Sequence, residues 1–173
     1  VEERYMDYMD RIEPHISRLF RNQPEAPYGV RRLDEALEGA ITFGYYQVPT
    51  AGNERGEYNY NGSDLKNRPM VWSGPLIYHE LAPGHHFQIN LNTENESIHK
   101  IRKDMRLYNA SITEGWGNYA AFLAEEIGML DKPLDQYGWL VFQMFFYNRL
   151  VLDTGMNALG WSLEEAREFM RKY

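Results

Sequence analysis

Between Glu2 and Arg21 the apolar residues Tyr5, Met6, Met9, Ile12, Ile16, Leu19 and Phe20 recur every three or four positions. This is the period of an amphipathic helix, in which Pro14 predicts a kink. Pro24 and Pro27 mark Asn22 to Pro27 as a loop or extended connection, and Arg31 to Leu37 reads as at most a short helix. From Thr42 to Asn61 the aromatics Phe43, Tyr45, Tyr46, Tyr58 and Tyr60 stand among Gly, Pro and Asn. The pattern predicts two short extended segments around a turn at Ala51 to Gly56, with Tyr58 and Tyr60 on one strand face. Asn61 to Pro69 is polar and loop-like. A helix is expected from about Ser73, with Pro75 tolerated in its first turn, carrying Leu76, Ile77, His79 and Glu80. A long helical stretch is expected from Glu96 to Ile127, weakened at Gly115 and Gly117 and stopped by Gly128. Pro133 opens another, Leu134 to about Leu152, which is apolar almost all round from Trp139 to Phe146 and therefore expected to be buried. Ser162 and Glu165 form a capping-box pattern that opens the last helix.

The fold class this predicts is mainly α, a single domain over residues 1–173 with a small β element. Opening on Val1 and closing at Tyr173 inside a helical pattern, the chain reads as a piece of something longer.

Composition removes several functions. With 18 Lys+Arg against 25 Asp+Glu the net charge is −7, so no basic excess exists to displace counterions from a nucleic acid. The absence of cysteine excludes disulfides, thiolate nucleophiles and Cys-ligated metals, so any metal must be held by imidazole and carboxylate. No apolar run approaches the roughly 20 residues of a membrane-spanning helix.

Three of the five histidines and a glutamate fall within eight residues, His79-Glu80-Leu81-Ala82-Pro83-Gly84-His85-His86. In zinc hydrolases two histidines four apart on a helix meet one ion, and the glutamate after the first acts as base. Here the spacing departs from that. On a regular helix His79 and His85 would differ by about 9 Å of rise and about 120° of rotation, and His79 and His86 by about 10.5 Å along the axis. Nitrogens at about 2.0–2.1 Å from one zinc cannot span either distance. Pro83 has no N–H for the carbonyl of His79, and Gly84 reaches backbone angles closed to other residues, so a bulge is expected between the histidines. Looping out two residues places His85 where the second ligand belongs; looping out three places His86 there. The first is preferred, with His86 supporting a ligand or facing substrate. The third ligand is expected to be Glu114, followed by the small Gly115, with Glu125 and Glu126 as alternatives.

These residues, with Glu114-Gly115-Trp116 and Arg149-Leu-Val-Leu-Asp153-Thr-Gly155, resemble the bacterial DUF885 family, whose blocks read His-Glu-x-x-Pro-Gly-His-His, Glu-Gly-Trp and Arg-x-x-x-Asp-Thr-Gly. The resemblance implies a mainly helical, zincin-like catalytic domain forming the C-terminal part of a larger protein. It also implies His79, His85 or His86 and Glu114 as metal ligands and Glu80 as general base. The family commonly has a histidine where this chain has Asn157, which cannot carry a proton at neutral pH.

The expected activity is metallopeptidase-like hydrolysis of a peptide or small amide with Zn2+ as cofactor, Glu80 moving the proton. Substrate or oxyanion contacts are expected from Arg149, His86, Tyr58 or Tyr147, Arg149 being suited to a substrate carboxylate unless it pairs with Asp153. Two rivals remain open: a non-haem iron oxygenase, which uses the same two-His-one-carboxylate set, and a non-catalytic binding domain with a degenerate site. A secreted or cell-envelope location would follow from a signal on a longer chain; otherwise the protein would be cytoplasmic.

Overall fold

The computed structural model describes residues 1–103 and 110–173. Helix α1, Glu2–Leu19, buries Tyr5, Tyr8, Met9, Ile12 and Ile16 along one stripe, as its periodicity predicts. It runs without interruption through Pro14; both Pro14 and Asp10, whose carbonyl loses its partner, are exposed, so water can take the missing bond.

A three-stranded sheet follows: β1 Tyr28–Arg32, β2 Gly44–Gln47 and β3 Gly56–Tyr60, in the order β1-β3-β2. β3 is central and buried throughout, parallel to β1 and antiparallel to β2. The two segments expected between Thr42 and Asn61 are β2 and β3. β1 corrects the reading of Arg31 to Leu37 as a short helix: Arg31 and Arg32 end a strand, and turns follow. Its sequence carries no alternation because only Gly29 and Val30 are buried. Arg32 is held outside by Glu38 at 2.9 Å, the charged covering typical of a sheet edge.

A single 3-10 turn, Met70–Trp72, leads into α2, Ser73–Glu80, in which all eight residues are buried. It lies in the middle of the molecule, against α1 on one side and α5, Ala110–Glu126, and α6, Pro133–Asn157, on the other. Between α2 and α5 come α3, His85–Glu94, and the short α4, Lys100–Lys103. The helix expected from Glu96 therefore starts at Lys100, after a turn, and its continuity across 104–109 lies outside the described residues. α5 stops before Gly128 as expected, and α7, Leu163–Lys172, begins with the predicted capping box, Ser162 and Glu165 bonding reciprocally.

α6 is a second correction. Its apolar run suggested a helix buried all round, yet Leu140, Tyr147 and Leu150 are 62%, 56% and 69% exposed. Only one side, carrying Gly138, Trp139 and Phe142, meets α2 and the 3-10 turn. Among the described residues no helix is long and apolar enough to cross a membrane.

Candidate metal centre

The expected bulge is a complete break. α2 ends at Glu80, Leu81 to Gly84 turn the chain, and α3 starts at His85. Pro83 cannot continue the helix, and Gly84 passes so close to the end of α2 that a Cβ there would lie 1.8 Å from the carbonyl oxygen of His79. Trp116 fixes this turn from α5: its indole N–H is shared between the carbonyls of Pro83 and Gly84, at 3.0 and 3.2 Å. The break folds α3 back, and the rings of His79 and His85 come to 4.6 Å, edge to face.

α5 brings the carboxylate. Glu114 Oε2 lies 3.2 Å from His79 Nε2 and Glu114 Oε1 3.6 Å from His85 Nε2. One potential ligand atom from each of the three lies within 4.8 Å of the others. The small residue that permits the approach is Gly117 rather than Gly115: a Cβ on Gly117 would lie 2.6 Å from the His79 ring, whereas Gly115 faces open space. One turn after Glu114, Asn118 accepts the Nδ1–H of His79 at 3.1 Å. In the neutral ring that bond keeps the proton on Nδ1 and leaves Nε2 free to ligate; in the protonated ring Nε2 also donates to Glu114. Asn118 was not singled out from the sequence, although its i+4 spacing from Glu114 places both on one face of α5. Phe146 of α6 stacks on the other face of His79 at 5.9 Å and 15°, with Phe142 edge-on at 6.1 Å.

The electrostatics follow from this crowding. Burial opposes a charge on His79, but the hydrogen bond to Glu114 and the fields of Glu80 and Glu114 outweigh it and raise its pKa. His85 is pushed down to about 4 by burial and by His79, against the pull of Glu114. Glu114, bonded to His79, is held below the usual carboxylate range despite partial burial, helped by His85 and Arg149. Glu80 sits beside the cluster on the last turn of α2. Burial lifts its pKa to about 7, with Glu114 adding to the rise and His79 and the backbone N–H of Tyr46 opposing it.

Zinc suits this donor set. Ligand atoms at about 2.0–2.1 Å from one tetrahedral ion stand roughly 3.3–3.4 Å apart, and the 3.2 and 3.6 Å separations bracket that value. Among the described residues His85 Nδ1 is buried without a hydrogen-bond partner, so none of them completes the bonding of this ring.

The other candidates lie elsewhere. His86 turns away from the cluster: Nε2 donates to the carbonyl of Ala26 at 3.0 Å, and Nδ1 faces the Tyr46 hydroxyl at 3.0 Å and the Asn90 amide at 3.1 Å. With both nitrogens engaged and the ring 1% exposed, it is part of the core and does not face a substrate. Tyr58 is likewise a core residue, fully buried on β3 with its hydroxyl on the carbonyl of Phe43 and its ring against Tyr5. Tyr147 is exposed and bonds to Gln143. Arg149 stands over the Phe145 ring at 5.4 Å, and Asp153 accepts from Asn157 instead of pairing with it. Glu125 and Glu126 lie about 16 Å further along α5 than Glu114, out of reach of the histidines.

Helices broken around two histidines, with a carboxylate from a third helix, define a mainly helical protein with a three-residue candidate metal centre. The family model described as "Bacterial protein of unknown function (DUF885)" matches residues 1–173, and the chain belongs to that family. It is similar to a solved structure described as "the putative lipoprotein from Colwellia psychrerythraea", at 30% identity and a TM-score of 0.88. The match covers 97% of this chain and 29% of that one, so the chain spans less than a third of that relative's length. No curated protein matches it.

Proposed function

We propose that the chain carries the zinc centre of a hydrolase that cleaves peptide bonds. The observation that supports this reading is the convergence of His79 Nε2, His85 Nε2 and Glu114 beside a buried carboxylate, Glu80, whose pKa lies near neutrality. His79, His85 and Glu114 would hold the ion, Asn118 orienting the first of them. When bound, zinc supplies the Lewis acidity that polarises a carbonyl and makes water a stronger nucleophile.

Glu80 handles the proton. A carboxyl titrating at about 7 takes a proton from attacking water and releases it to the leaving amine with little loss in either direction. Its burial next to the cluster favours hydrolysis over an iron oxygenase, which has no need of a poised base. A peptide is favoured over other amides by strand β2. In its register with β3, Tyr45 and Gln47 pair through hydrogen bonds, so the backbone groups of Gly44 and Tyr46 point to the free edge, and the N–H of Tyr46 lowers the pKa of Glu80. An extended chain laid along that edge would pass the base. A cell-envelope location is part of the proposal, on the strength of the similar lipoprotein.

Metal analysis combined with Glu80→Gln is the test. Purified protein should contain one zinc per chain, and the variant should keep it while hydrolysis of a peptide library falls by roughly 10²–10⁴. Full activity in Glu80→Gln, or oxygen consumption with bound iron, would reject the reading.

A further inference from the structure

Where α1, the sheet and α2 meet, the core leaves a cavity of about 150 Å3. Tyr5 of α1, Tyr60 of β3 and Leu76 of α2 form its floor, all three of them buried. Phe43 and Trp72 form a wall, their rings 5.0 Å apart, and Phe145 of α6 backs both rings, at 5.8 and 5.3 Å. Leu65, 43% exposed, stands at the mouth.

The polar side chains around this space are engaged with other protein groups. The Tyr60 hydroxyl donates to Glu2 at 3.2 Å, and the Ser73 hydroxyl donates to the carbonyl of Met70 at 2.7 Å. Asn61 donates to the carbonyls of Glu38 and Ile41, at 2.7 and 2.6 Å, and accepts from the N–H of Ser63 at 2.8 Å. Arg68 donates to the carbonyls of Ser63 and Thr42 and to the Ser63 hydroxyl. Burial pushes the pKa of Tyr5 up to about 12, as in a surrounding of low polarity. A polar ligand would lose its bonds to water here without gaining partners from these side chains. An apolar cavity of about this volume stays dry and takes a benzene ring.

The cavity also lies close to Glu80. Ser73 and Leu76 line it, seven and four residues before Glu80 on the same face of α2, so the base is about 6 Å of helix rise beyond Leu76. Phe43 leads into strand β2, its carbonyl accepting from the N–H of Asn61 at 2.7 Å. Tyr5 feels the charge of Glu80. We propose that the cavity is a binding site for a neutral apolar group about the size of a benzene ring. Two sources carry that chemistry: a small hydrophobic molecule, or a Phe or Leu side chain of the peptide being cleaved. The second rests on the hydrolase reading above; the first does not.

Calorimetric titration with toluene tests the site, and hydrolysis assays assign the source. Toluene should bind, and benzoate, whose carboxylate would be stripped of water, should bind roughly tenfold or more weakly. Leu65→Trp should block the mouth and weaken toluene binding by roughly tenfold, while Leu140→Trp, at a 62% exposed position on α6, should leave it unchanged. No binding of toluene, benzoate binding as tightly, or full affinity in Leu65→Trp overturns the site. In the second arm, zinc-loaded protein hydrolyses matched peptides that carry Phe or Ala at each position in turn, with and without toluene. A rise in KM caused by toluene for a Phe peptide, at constant kcat and absent for its Ala counterpart, assigns the cavity to the substrate side chain. Toluene that binds yet leaves both KM values unchanged assigns it to a free molecule. Hydrolysis without toluene binding rejects the site alone, and toluene binding without hydrolysis of any peptide rejects the hydrolase reading alone.

Discussion

His85 and His86 are neighbours in sequence, nearly equally buried, and opposite in chemistry. Around His86 every polar atom has an answer. The Ala26 carbonyl can only accept, so Nε2 carries the proton; Nδ1 then accepts from the Tyr46 hydroxyl, which itself accepts from Asn90. Around His85 the bonding is open: Nδ1 has no partner among the described residues, and Nε2 faces a carboxylate already shared with His79. Burial is the same in kind for both rings, and it lowers both pKa values to about 4. What separates a site from a core is whether the buried polar groups satisfy one another, since an interior tolerates few that do not.

The comparison breaks most visibly under metal titration. His85→Ala should weaken zinc binding by roughly a hundredfold or more, since structural zinc sites draw about 10–16 kcal/mol from about four ligands. His86→Ala should leave zinc affinity within a few-fold of the parent when measured by competition with a chromophoric chelator. A comparable loss in both variants would mean that the two environments are one.

Stability should show the reverse order. Removing the His86 ring orphans the carbonyl of Ala26 and empties space among Tyr28, Tyr46 and Phe87, at a cost of about 3 kcal/mol in urea unfolding. The pH dependence has a definite sign. The unfolded ring takes a proton near 6.5 and the folded ring only near 4, so between those values the unfolded state binds more protons. The His86 contribution, on the order of 3 kcal/mol, is therefore complete above about pH 6.5 and lost as pH falls towards 4. His86→Ala should flatten that acid limb. An unchanged limb would show that the ring already protonates freely in the fold.

A smaller effect is expected at Asn118. It accepts the Nδ1–H of His79, and losing such a partner costs metal sites roughly 10–100-fold in affinity. Asn118→Ala should fall at the lower end of that range, and Asn118→Asp should restore or exceed the parent affinity. An unaffected zinc constant in Asn118→Ala would remove it from the site.

Local signals made much of this legible. Period three-to-four spacing gave α1, Pro and Gly placed the break between His79 and His85, and Ser162 with Glu165 marked the start of α7. The misreadings share a cause: they depend on partners distant in sequence. β1 exists because β3, some thirty residues later, pairs with it, and its own residues carry no alternation. α6 is apolar on both sides, and nothing within the helix says which side meets α2. His86 could not be told from His85 by spacing alone, because what decides between them is the carbonyl of Ala26, sixty residues earlier.

Tyr46 joins the two environments and gives the finest test of their separation. Its hydroxyl belongs to the closed network around His86, while its backbone N–H lowers the pKa of Glu80. Tyr46→Phe removes only the first. Asn90 still reaches His86 Nδ1 at 3.1 Å and the His86 carbonyl at 2.7 Å, so no buried donor is stranded. The expected cost is therefore about 1 kcal/mol or less, read as a small drop in the urea midpoint with an unchanged slope. Because the backbone N–H that acts on Glu80 is untouched by this change, the pH profile of peptide hydrolysis should coincide with that of the parent. A displaced profile in Tyr46→Phe would mean that the saturated network sets the proton affinity of the base, and the division between a structural and a chemical histidine would have to be redrawn at Tyr46.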